Sequence, residues 1–68
     1  MTEQTRMANA IAAAQAMFEA DEVVQGLPPG TPERRERMRQ IIHSIASSWR
    51  VERMELTMAL TQLSARDG

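Results

Sequence analysis

The sequence contains no cysteine, so a disulfide framework and a thiolate zinc site are both excluded. Lysine is absent too. All eight basic residues are arginine, set against nine acids, for a net charge of -1. That balance supplies no bulk attraction to nucleic acid or to anionic lipid. Aromatics are almost missing: Phe18 and Trp49 stand alone, without a tyrosine. No apolar run approaches the roughly 20 residues of a membrane span, and no signal peptide is expected. A membrane is therefore not an expected partner, and a cytoplasmic location is the expectation. With 68 residues there is room for one small core, and a catalytic cleft is not expected in so small a body. The arginine-only usage and the alanine bias suggest a small bacterial or phage protein from a GC-rich genome.

Glycine and proline are scarce, and most of them sit in one stretch, Gly26-Leu27-Pro28-Pro29-Gly30-Thr31-Pro32. Gly26 suits a left-handed residue that ends a helix, and the proline pair forbids continuation. Thr31 is a good N-cap, Pro32 fits a first helical turn, and Glu33 faces the positive helix end. A helix ending near Gln25 and another starting near Pro32 follow.

Upstream, Thr2 or Thr5 caps a helix over about 4–25. Met7, Ala10, Ile11, Ala14, Met17, Phe18, Asp21 and Val24 recur at three- and four-residue spacing and mark one face. The many alanines favour helix and let a neighbour approach closely. Downstream, Ile42, Trp49, Leu56 and Leu63 repeat every seven residues, with Met38, Ile45, Glu52 and Ala59 as a second row. Glu52 is the polar exception in that seam; pairing with Arg6 or Arg53, or a register-setting role, accounts for it.

These patterns predict an all-α fold: one domain over 1–68, an antiparallel helical hairpin with helices at about 4–25 and 32–66 joined by a turn at 26–31. Its arms are unequal, about 33 Å against about 51 Å at 1.5 Å per residue. On that reading, residues from Met54 onward extend past the first helix and lack an intrachain neighbour. Yet Met54, Leu56, Met58, Leu60 and Leu63 are apolar, and burying each large side chain is worth about 1.5–3 kcal/mol. Together with Trp49 and Val51 they form the expected interface, covered by a second copy in a four-helix or coiled-coil-like bundle or by a partner helix. Leu56→Asp or Leu60→Asp is then expected to weaken association while leaving helicity largely intact. Flexible Met54 and Met58 suit a surface that repacks against partners.

Arg34, Arg35, Arg37 and Arg39 open the second helix beside interleaved Glu33 and Glu36, with Glu19, Asp21 and Glu22 across the turn. The main expectation is an ion-pair cluster that fixes register, Asp21 facing Arg35. The alternative enlists Arg34, Arg35, Arg37, Arg39, Arg50 and Arg53 as phosphate contacts of a nucleic-acid-binding regulator. A break at Ser47-Ser48 supports that alternative. Ile45, Ala46, Trp49, Val51, Leu56 and Ala59 then fit the apolar spacing of a helix-turn-helix. Two features oppose it: a left-handed Arg50 is costly, and the reading helix would begin Glu52-Arg53-Met54-Glu55.

His43 is the only histidine; Arg39 and Ser47 stand four residues either side, so no second ligand lies at metal spacing. Ser44, Ser47 and Ser48 lack an acid–base companion. No catalytic group, metal, cofactor or small-molecule substrate is expected. The leading reading is a non-enzymatic interaction module of adaptor, co-chaperone or inhibitor type.

Overall fold

The computed structural model describes residues 2–67 and is all-helical across them. Four helices follow in order: α1 (Glu3–Ala20), α2 (Glu22–Gly26), α3 (Pro32–Trp49) and α4 (Arg53–Asp67). Thr2 is the N-cap of α1, its hydroxyl accepting the Thr5 N–H. Thr31 caps α3 in the same way, with Pro32 in the first turn, as its sequence implies.

The first helix is interrupted once. Asp21 is extended and becomes the N-cap of α2, its carboxylate accepting the Val24 N–H at 2.9 Å. Part of the carbonyl capacity opened by this break is met by Gln25, whose Nε2 donates to the Phe18 carbonyl at 2.7 Å. The left-handed glycine of the turn is Gly30, at φ 84°, whereas Gly26 closes α2 with helical geometry. Two prolines separate the two glycines, so the reversal falls on the residue just before the Thr31 cap.

The hairpin needs a larger correction. The second arm is two helices, and the break lies at 50–52, after the serine pair. Arg50 is left-handed at φ 55°, ψ 46°. The Ala46 carbonyl accepts both the Arg50 N–H and the Val51 N–H, the latter at 3.0 Å, a Schellman-type ending. A continuous arm of about 51 Å is incompatible with a molecule whose longest dimension is 36 Å. Instead α4 folds back against α1 and α3.

Two energies of known sign explain the outcome. A left-handed non-glycine residue costs about 1–2 kcal/mol. Docking α4 buries Leu56 completely and Leu60 to 8 % exposure, each worth about 1.5–3 kcal/mol. The gain exceeds the cost, so the chain covers its own overhang. The resulting core joins Ala10 and Ala14 of α1, Val24 of α2, Ile41, Ile42, Ile45 and Ala46 of α3, and Leu56 and Leu60 of α4. Alanine at both α1 positions lets α3 approach closely, and Trp49 and Val51 pack half-buried at the margin.

The register of α1–α2 against α3 is fixed by an ion pair, although not with the expected arginine. Asp21 meets Arg37, with Nη2 at 2.9 Å from Oδ2 and Nε at 3.2 Å from the same oxygen. Arg35 stays exposed. The kink at Asp21 turns its carboxylate out of the straight-helix line from which facing partners were assigned. The Arg37 hydrogen bond, aided by the Val24 N–H, holds the Asp21 carboxyl below the usual aspartate range. A depressed folded-state pKa gives stability that is complete above the unfolded value and disappears as pH falls through the folded one. Asp21→Asn keeps the cap but loses the charge. It is therefore expected to melt below the parent at neutral pH. Melting curves should show the gap closing in strong acid; a gap constant with pH would remove the ion pair as its cause.

Candidate interaction groove

Folding α4 inward divides the expected interface residues into two sets. Leu56 and Leu60 belong to the core, and Trp49, Val51 and Leu63 are half-buried. Met54 and Met58 remain outside at 63 % and 58 % exposure. Helical geometry accounts for the division, since Met54 and Met58 are four apart on one side of α4 while Leu56 and Leu60 are four apart on another. Leu56→Asp and Leu60→Asp thus strike the core of the single chain, and the expectation that they leave helicity intact is withdrawn.

Beside the exposed methionines lies a groove of about 760 Å³. Phe18 of α1, Met38 and Ile42 of α3, and Met54, Met58 and Leu60 of α4 give it an apolar lining. Thr57 and Thr61 also line it. Both hydroxyls donate back to carbonyls one turn earlier, Thr57 to Arg53 and Thr61 to Thr57, each at 2.9 Å. This back-bonding occupies the hydroxyl protons within α4, so the face is less hungry for polar partners than its composition implies.

The six candidate phosphate contacts do not gather in one place. Arg35, Arg39 and Arg53 line the groove. Arg37 is held by Asp21. Arg34 is half-buried, its Nε without a hydrogen-bond partner. Arg50 lies in a separate cleft with Arg6, Glu3, Glu52 and Glu55. Glu52 is exposed, and Arg6 reaches the Arg50 carbonyl at 3.4 Å instead of this carboxylate. The shift follows from the break, which takes Glu52 out of any helical seam.

No match for this chain is found among protein-family models, curated proteins or solved structures. The site therefore rests on its own geometry. The turn at 50–52 joins α3 to α4, with Arg50 left-handed and Ile45, Ala46, Trp49, Val51, Leu56 and Ala59 all buried or half-buried. His43 is exposed, its Nδ1 3.4 Å from Arg53 Nη1. Among the described residues no group of three or more His, Cys, Asp or Glu side chains is placed to hold a metal. Among the described residues no helix is long and apolar enough to cross a membrane.

The apolar pattern singled out Met54 and Met58 of α4 but not the α1 and α3 side chains that line the groove with them. Phe18, Met38 and Ile42 were legible only as core positions. Their role as groove lining depends on the direction in which α4 returns, which no periodicity reports.

Proposed function

We propose that this chain is a non-enzymatic protein-interaction module that receives a helix, from a partner or a second copy, in the groove between α1, α3 and α4. One observation carries the reading. Met54 and Met58 stay more than half exposed beside an apolar groove although the same helix buries Leu56 and Leu60. Adjacent flexible thioethers suit a surface that adapts to a docked helix.

A photo-crosslinking residue at Thr57, in the groove, tests this against one at Gln40, exposed on α3 outside the groove lining, in cells of the source organism. Protein adducts are expected from Thr57 and not from Gln40, and Met54→Asp with Met58→Asp should abolish them. Nucleic-acid adducts, or equal yields at both positions, would count against the groove.

A nucleic-acid regulator is the second reading, favoured by the short turn between α3 and α4. Weighing against it are the exposed Glu52 and Glu55 beside Arg53 and the scatter of the arginines. If it holds, binding to labelled duplex DNA falls with salt at a log-log slope near -0.9 per phosphate neutralised. No retention at low salt would dismiss it.

A further inference from the structure

The groove is electrostatically one-sided. Acids outnumber bases over the whole chain, nine to eight, yet the groove is lined by Arg35, Arg39 and Arg53 and by no carboxylate. Arg35 has no side-chain partner among the described residues. Arg53 is engaged only with a ring nitrogen of His43, at 3.4 Å. Arg39 pairs with Glu36 at 3.1 Å, but both side chains are more than half exposed. Such a pair exchanges readily with water or with another anion.

These charges constrain what covers the methionines. A purely apolar segment would shield three guanidinium groups from water without giving them acceptors, which is unfavourable. A segment flanked by lysine or arginine would be repelled. Carboxylates beside an apolar ridge satisfy both parts of the lining, and Arg is the cation best shaped to grip them.

The helices also set the length. Lining residues on α4 run from Arg53 to Ser64, which is about 16 Å of helix axis, or roughly three turns. The floor offers Met54 and Met58 on α4 and Met38 and Ile42 on α3, each pair at i, i+4. Apolar pairs of that spacing accept side chains at i, i+3 or i+4, and i+7 of an incoming helix. The back-bonded Thr57 and Thr61 hydroxyls add little demand for polar partners along this face.

We infer that the groove binds an acidic amphipathic helix of about three turns, its apolar ridge on Met54 and Met58 and its carboxylates on Arg35, Arg39 and Arg53. This rests on the reading of the groove as a helix-docking surface and adds the chemistry of the occupant.

The test is selection of a displayed library of helix-forming segments, about 15 residues long, on the full chain, with the Met54→Asp/Met58→Asp variant as counter-target. Both substitutions lie at exposed positions, and a circular-dichroism spectrum verifies that the variant remains helical. Enriched segments are expected to carry an i, i+3 or i+4, i+7 apolar ridge flanked by Asp or Glu. Affinity of the best segment should fall about tenfold in Arg35→Glu/Arg39→Glu, the scale of exposed attractions turned into repulsions. Segments enriched without acidic bias, and indifferent to that reversal, would overturn the charge assignment while leaving helix docking intact. No enrichment over the counter-target would overturn both. A second copy blocking the groove, seen as a dimer by light scattering that Met58→Asp dissolves, would overturn an acidic foreign helix as the occupant. A labelled DNA duplex displacing the selected segment would point to phosphate as the anion and overturn it as well.

Discussion

Leu56→Ala is expected to lower unfolding stability by about 2–5 kcal/mol, and Met58→Ala, half a turn away, by less than about 0.5 kcal/mol. Leu56 is fully buried and Met58 is 58 % exposed. A chain of this size has total stability of roughly 3–10 kcal/mol at 0.05–0.15 kcal/mol per residue. Loss of one leucine side chain is therefore a large share of it, and Leu56→Asp should leave the chain without cooperative folding. Urea titrations followed by helicity provide the measurement. An undocked α4 would expose both side chains alike, so similar midpoints for Leu56→Ala and Met58→Ala would contradict the fold.

The second large effect lies at Arg50, where the sign of one substitution is diagnostic. Arg50→Gly relieves a left-handed cost of about 1–2 kcal/mol and loses about 0.5–1 kcal/mol to greater chain entropy. A net stabilisation of up to about 1.5 kcal/mol is expected. In an uninterrupted helix the same change would destabilise by about 0.8–1 kcal/mol, because glycine is a poor helix residue. Arg50→Pro should cost about 3 kcal/mol or more. It forces φ to negative values where the chain has 55° and removes the N–H that donates to the Ala46 carbonyl. Chemical denaturation of the pair, compared at constant m-value, reads both. A destabilising glycine would mean that Arg50 is helical and that α3 and α4 form one rod.

These two positions also show what the sequence made legible. The turn at 26–31, the Thr31 cap and the all-helical class were readable because each depends on neighbours within a few residues. The need to cover Leu56 and Leu60 was readable from their apolar character, but the source of the cover was not. A heptad pattern continues smoothly through Trp49 and Leu56 whether or not the backbone turns between them, since both pack on the core in either arrangement. Local propensity at Arg50 opposed a break, and only the burial of Leu56 and Leu60 reversed the balance. Asp21 was misread for a related cause. Its three- and four-residue spacing with Met17 and Val24 looks helical, while its side chain is better used as a cap. The groove suffered most, because it forms between three helices whose relative directions are set at Asp21 and Arg50.

The unequal share of the core among the helices has a consequence for the hierarchy of opening. Four buried side chains come from α3 and two from α4, and α4 is joined through a backbone conformation that has a cost of its own. Subglobal opening is easiest where few apolar contacts hold an element. Of α3 and α4, the last helix is therefore the one that leaves more easily, carrying Met54 and Met58 with it and dissolving the groove. A ligand that bridges α3 and α4 would act as a clasp on that motion, so occupancy and the lifetime of the closed chain are tied together.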